Sequence, residues 1–208
     1  MINPAVRSEL AAFIAPPGGA EVLRYSYFSR KFIPATTPNV WPSEVQFFSD
    51  QNGVGGATAR DTNMTKGSAI GNPRRFLAQF LNFNIYCALP AQAILGTAVA
   101  EANEILMQTT IRIDVLDKEY LTVPAWTVPA GGGTLWTGGG TLANGTFTNG
   151  SPDKRNAYPI ELNLEREASF SVRLLSPVVP AAGVYIGVTT LGYYVECVLT
   201  GLLLRPGQ

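Results

Sequence analysis

The sequence predicts an all-β fold, an antiparallel β-sandwich of about eight strands with a short N-terminal helix and one helical insert. Three observations lead there. Apolar residues alternate with polar ones at Ile160, Leu162, Leu164 and again at Phe170, Val172, Leu174, and a period of two gives each strand one buried face. Several such runs recur along the chain between turn residues, the pattern of a sandwich or barrel. The 21 Gly and 15 Pro among 208 residues supply turns and long loops rather than a helical bundle. The length suffices for one domain with a full core.

Residues 4–15 read as a short amphipathic helix. Asn3 can cap it, Pro4 suits its first turn, and Val6, Leu10, Phe13 and Ile14 share one face. Pro16-Pro17-Gly18-Gly19 ends it. Residues 1–20 therefore form an arm that docks either on a neighbour or on its own sandwich, and residues 21–208 form the β domain. Residues 21–33 and 44–49 read as the first two strands. The polar, Gly-rich stretch 50–72 reads as a surface loop, and a loop of that length inside a domain is usually functional or mobile.

Phe76 to Leu89 is the clearest central strand, with Leu81, Phe83, Ile85 and Cys87 on one side and Phe80, Asn82, Asn84 and Tyr86 on the other. From Ala91 to Met107 the period changes. Ile94, Leu95, Ala98, Val99, Ala102, Ile105 and Leu106 follow helical spacing, which gives the helical insert. Residues 109–116 alternate again, with Ile111, Ile113 and Val115 inward, and Asp117-Lys118 turns the chain into 119–123 as a hairpin. Residues 124–152 read as a large projecting loop or an irregular hairpin. Trp126, Leu135, Trp136, Leu142 and Phe147 lie within it, and aromatic residues are unusual in disordered segments. Three strands close the domain at 159–165, 169–175 and 184–204, with Gly192 or Gly201 marking a bend or bulge in the last. The expected core is Leu81, Phe83, Ile85, Ile111, Ile113, Leu162, Leu164, Phe170, Val172 and Leu174.

Composition excludes several functions. Lys+Arg and Asp+Glu number 15 each, for a formal net charge of zero. No basic surface is available to neutralise phosphates, so direct sequence-specific nucleic-acid binding is not expected. Charged residues make up 14% of the chain, against roughly 25% in an average soluble domain. A neutral, weakly charged surface suits a protein covered by neighbours, and zero net charge lowers the barrier to self-association. The chain has no histidine, so a Ser-His-Asp or Cys-His triad within it is impossible. The two cysteines, Cys87 and Cys197, lie in strand-like runs and are read as buried free thiols rather than a disulfide. The N-terminus lacks a basic region followed by an apolar run, so no secretory leader is expected. No apolar segment approaches about 20 residues, so no helical membrane span is expected.

Candidate chemistry is sparse. Carboxylates pair in sequence at Glu101/Glu104, Asp114/Asp117 and Glu165/Glu167, but a glycosidase needs them to face each other across a bond. The first pair fits a solvated helix face and the last a turn. Asp50, Asn52, Asp61 and Asn63 could offer oxygens to Ca²⁺, yet they lack EF-hand spacing and a terminal bidentate Glu. Gly53-Val54-Gly55-Gly56 has no Lys-Ser/Thr after it and is not a phosphate loop. Trp126, Trp136 and Phe147 suit packing over the end of the sandwich or a subunit contact better than sugar stacking. Tyr193 and Tyr194 read as ordinary sheet aromatics. No catalytic, cofactor-binding or metal-binding residue is assigned, no cofactor is expected, and no enzymatic activity is expected.

The element order runs arm, two strands, long loop, central strand, helical insert, hairpin, large loop and three closing strands. That order fits a jelly roll. The segments Leu116-Asp117-Lys118-Glu119-Tyr120-Leu121, Tyr158-Pro159-Ile160-Glu161-Leu162, Ser169-Phe170-Ser171-Val172-Arg173-Leu174 and Leu199-Thr200-Gly201-Leu202-Leu203-Leu204-Arg205-Pro206 resemble the single jelly-roll coat proteins of icosahedral, non-tailed, often membrane-containing phages. The resemblance implies a non-enzymatic virion capsid subunit that self-assembles into a closed shell. Its implied partners are copies of itself, other capsid proteins and an internal membrane where the particle has one. One chain would supply one barrel, unlike the larger double jelly-roll coat proteins. The alternative is a carbohydrate- or receptor-binding β-sandwich, a spike or lectin-like module. A third reading, a hydrolase working with carboxylates alone, stands further off.

Overall fold

A computed structural model describes residues 20–34, 42–87, 102, 105–129, 134–137, 146–149, 157–176 and 192–206. Ten strands lie among them: β1 (Ala20–Ile33), β2 (Glu44–Phe47), β3 (Arg75–Cys87), β4 (Thr110–Val115), β5 (Lys118–Pro124), β6 (Thr134–Thr137), β7 (Thr146–Asn149), β8 (Tyr158–Leu164), β9 (Phe170–Leu175) and β10 (Tyr193–Pro206). They form two antiparallel four-stranded sheets, ordered β1-β10-β3-β8 and β2-β9-β4-β5. A separate small hairpin pairs β6 with β7, Trp136 opposite Phe147.

The pairing is nested. β4 pairs with β5 next to it in sequence, and outside that hairpin β3 pairs with β8, β2 lies against β9 and β1 against β10. The chain thus behaves as one long hairpin folded at β4–β5 and wound into two layers. Alternation drives it: each strand has one apolar face, and two sheets facing each other bury both sets at once. All ten expected core residues are buried, from Leu81, Phe83 and Ile85 on β3 to Phe170, Val172 and Leu174 on β9. Phe47 on one sheet meets Phe83 on the other edge to face, with centroids 6.0 Å apart, a favoured aromatic geometry. Ala102 and residues 105–108 are helical, and Ala102, Ile105 and Leu106 pack into the core, which agrees with the end of the expected insert. Its residues 91–101, 103 and 104 lie outside the described residues. So do the N-terminal helix at 4–15 and the start of the last expected strand, 184–191.

Two expectations need correction. The hairpin turn is Leu116-Asp117 rather than Asp117-Lys118, because Val115 pairs with Lys118. Leu116 and Asp117 have φ of 50° and 63°, the double left-handed conformation of a type I′ turn, whose twist matches the flanking strands. The second strand ends at Phe47, since Phe48 turns left-handed at φ 59°. Within the segment 124–152, a 3-10 turn at Ala125–Thr127 precedes β6 and β7, whose pairing matches the hairpin of the two forms expected there.

The loop 50–72 is built into the sandwich. Its middle covers the free edge of β1, where Arg30 N–H donates to the Asp61 carbonyl at 2.7 Å and Phe28 N–H to Asn63 Oδ1 at 2.9 Å. Thr62 Oγ1 and Asn63 Nδ2 donate back to the carbonyls of Phe28 and Ser26. An uncovered edge would offer those groups to another chain. Three of the four residues weighed as calcium ligands have side-chain partners: Asp61 accepts from Thr58 N–H and Oγ1, Asp50 pairs with Lys31, and Asn63 is bonded to β1.

The alternation of strand directions sorts the connections. Segments 48–74, 116–117 and 165–169 lie at one end of the sandwich, and residues 34, 42–43, 105–109 and 125–129 at the other. The first end is interlocked by backbone bonds: Ser68 N–H to Phe48 O, Phe170 N–H to Ser68 O, Glu167 N–H to Ile70 O and Leu116 N–H to Ser169 O. Among the described residues, every non-glycine residue with left-handed φ sits there: Phe48, Ser68, Leu116, Asp117 and Glu167.

Candidate interaction surface

The two sheets differ on the faces they turn away from the core. An antiparallel sheet with one wet face carries polar residues there. The β2-β9-β4-β5 sheet obeys. Glu44, Arg173, Asp114, Arg112 and Glu119 run across its four strands as one ion-pair chain. Asp114 is its centre, buried between the two guanidiniums. Hydrogen bonds from Arg112, then from Arg173, hold its carboxyl below the usual range against the opposing effect of burial. Arg112 rises in turn, chiefly through its bond to Asp114. Three carboxylates against two guanidiniums leave one net negative charge, and each of the five groups is held in an ion pair.

The β1-β10-β3-β8 sheet does not obey. Register places Phe32, Tyr194 and Tyr86 in one outward row, Phe28, Val198 and Asn82 in another, Ser26, Thr200, Phe80 and Pro159 in a third, and Arg24, Leu202, Leu77 and Asn163 in a fourth. Phe32 is 48% and Phe80 43% exposed. The Phe32 and Tyr194 rings sit 5.0 Å apart, tilted. Asn82, Ser26, Thr200, Arg24 and Asn163 set polar groups within these rows, and a further row, Arg30, Glu196 and Asn84, is polar throughout. Glu196 accepts from Arg30 Nη2 at 2.6 Å and Nε at 3.0 Å, from Asn84 Nδ2 at 3.3 Å and from the Tyr86 hydroxyl at 3.4 Å. The Arg30 guanidinium also lies 5.6 Å from the Tyr86 ring centroid, within cation–π range. Burial, with Glu196 next, pushes the Tyr86 hydroxyl up. A patch of Phe, Tyr, Leu and Arg with its charges paired internally has the composition of a protein interface core.

The apolar surface continues around the β8 edge. Phe80, Pro159, Tyr158, Tyr120 and Leu121 line a groove between the edges of the two sheets. The Tyr120 hydroxyl donates to the Glu161 carbonyl across it and ties the edges together.

The remaining sequence candidates scatter. Glu165 pairs with Arg75 and Glu167 with Lys66, so both serve the turn, and Asp117 occupies the hairpin tip. Glu101, Glu104, Trp136 and Phe147 have no described side chains. Trp126 is 53% and Leu116 61% exposed, at opposite ends of the sandwich. Cys197 is a buried free thiol, its pKa pushed up by desolvation. Cys197 pairs with Phe83 and Cys87 with Tyr193, which sets the two cysteines about 14 Å apart along the ladder, beyond the roughly 7 Å a disulfide spans. Among the described residues no group of three or more His, Cys, Asp or Glu could hold a metal, and no helix is long and apolar enough to cross a membrane.

The apolar residues of the outer face are not evident from alternation alone, although their signal is present in the last strand. From Tyr193 to Leu204 the inward set (Tyr193, Val195, Cys197, Leu199) interleaves with an outward set in which the apolar Tyr194, Val198 and Leu202 alternate with Glu196 and Thr200. A strand apolar on both faces is a strand covered on both faces. No protein-family model matches the chain, and no match was found among curated proteins or solved structures.

Proposed function

We propose that the chain is a virion structural protein, a jelly-roll coat subunit that self-assembles into a closed shell. The nested strand pairing carries this reading. Two sheets ordered β1-β10-β3-β8 and β2-β9-β4-β5 are what a rolled hairpin of eight strands produces, with β6 and β7 as an insertion in the connection after β5. Jelly rolls of this kind recur in viral capsids. Two features add support: the apolar side chains on the outer face of one sheet and a net charge of zero. A shell subunit works through many modest, shape-complementary contacts, and such a surface supplies them without charge repulsion.

The lectin-like alternative draws on the aromatic row Phe32, Tyr194 and Tyr86 beside Asn84 and Glu196. It is less favoured because Glu196, Asn84, Tyr86 and Arg30 already bond to one another, which leaves few polar groups for sugar hydroxyls. Electron microscopy of the purified protein tests the proposal. Closed particles or ring-shaped capsomers are expected; a uniform field of single small domains that bind a glycan array would favour the alternative.

A further inference from the structure

We infer that the outer face of the β1-β10-β3-β8 sheet packs against the same face of a second copy, about a two-fold axis parallel to the strands. This deepens the assembly reading and rests on it. Size comes first. Strands of 14, 14, 13 and 7 residues build the sheet, and at about 3.4 Å by 4.8 Å per residue they present about 800 Å². That is the area per partner of a standard stable interface. Chemistry comes second. The only ion pair in the middle of the face among the described residues, Arg30–Glu196, is internally neutral, so a like surface is not repelled.

Charge complementarity then selects the axis. Among the described residues, Arg24 and Glu161 are exposed and have no ion-pair partner. Arg24 lies on β1 and Glu161 on β8, at opposite margins of the same face. Aligned sheets pack with strands within about 30° of each other, so a dyad lies either along or across the strands. Across the strands it sets β1 on β1 and β8 on β8, which places Arg24 opposite the partner copy's Phe32 and keeps Glu161 at the other margin, away from Arg24. Along the strands it sets β1 over β8 and β10 over β3. Arg24 of each copy then lies over Asn163 of the other with Glu161 at the next outward position along β8, within reach of its guanidinium, while Tyr194 faces Tyr86 and Leu202 faces Leu77. An isologous contact makes each of these pairs twice.

Charge reversal tests the arrangement. In the full-length chain, Arg24→Glu alone and Glu161→Arg alone each replace two attractions with two repulsions. Each variant should self-associate about tenfold more weakly than the unmodified chain, as expected for exposed pairs. An equimolar mixture of the two should regain the original affinity, because in the mixed pair both contacts are again between opposite charges. Val198→Asp, at the centre of the face, should abolish the contact while thermal unfolding still reports a cooperative fold. Sedimentation at matched concentrations reads all four. A mixture that associates no better than its components overturns the inference, as does association that survives Val198→Asp. If the unmodified chain forms large particles indifferent to these changes, the two-fold contact is wrong and the shell reading stands. If it stops at a dimer that responds to them, the contact stands and the shell reading fails. A chain that stays monomeric at every concentration overturns both.

Discussion

Gly201 on β10 lies against the backbone of Leu77 on β3 so closely that no side chain fits between them. A Cβ on Gly201 would stand 2.9 Å from Ala78 Cα and closer still to the Leu77 carbonyl oxygen. The approach occurs where the ladder slips: Thr200 pairs with Phe80 but Gly201 with Ala78, which leaves Gln79 as the extra residue of a bulge. The bulge changes which parity of β3 faces inward. Phe76 and Ala78 are buried before it, Leu81, Phe83 and Ile85 after it. One glycine thus lets a 13-residue strand keep an apolar face toward the core on both sides of the bulge.

Gly201→Ala should therefore destabilise the domain by about 3 kcal/mol, at the upper end of overpacking costs, because backbone rather than a movable side chain blocks the Cβ. Chemical denaturation checks this. Ala at the nearby outward position Thr200 is the control and should cost much less.

The hairpin tip should respond in the opposite direction. Leu116 and Asp117 both hold left-handed φ, a conformation that β-turn chemistry assigns to Asn-Gly. The double change Leu116→Asn with Asp117→Gly should raise stability by about 1 kcal/mol. Leu116 is also exposed at the tip, so a gain in stability accompanied by weaker self-association would mean that the strained leucine is kept for contact. Thermal melts and sedimentation of the same variant separate the two effects.

Asp114 should make stability fall in acid. Its pKa in the folded chain lies below the ordinary 3.8 because Arg112 and Arg173 bind the carboxylate. A group depressed on folding stabilises above its unfolded pKa, and that contribution disappears as pH drops from 3.8 through the lower folded value. Asp114→Asn should be less stable than the parent at pH 7, and the difference should shrink as pH falls below 3.8. Denaturation midpoints measured across that range give the answer.

Much of this fold was legible in the sequence. Period-two alternation located the strands and all ten core residues, because inward side chains in a half-buried sheet must be apolar. The bulge was legible only as a glycine in a strand, since alternation says nothing about what the facing backbone does. The role of loop 50–72 was hidden as well. Asp61, Thr62 and Asn63 look like any polar loop, and only the fold brings them to the free edge of β1. The candidate surface was missed for a related reason: Tyr86, Tyr194, Val198 and Leu202 are far apart in sequence, and strand order alone gathers them into one face.

Removal of residues 1–15 should leave the domain folded, because β1 begins at Ala20 and the described core residues all lie at Tyr27 or beyond, with Tyr25 packed against them. Cooperative unfolding of the truncated chain should match that of the full chain, while assembly weakens. A truncated chain that fails to fold would mean that the arm belongs to the core.

Sedimentation velocity of the full-length chain over a wide concentration range tests self-assembly most directly. The account predicts a monomer that gives way, as concentration rises, to capsomers or particles many times its mass, with β structure unchanged. A single monomeric species at every concentration would contradict it.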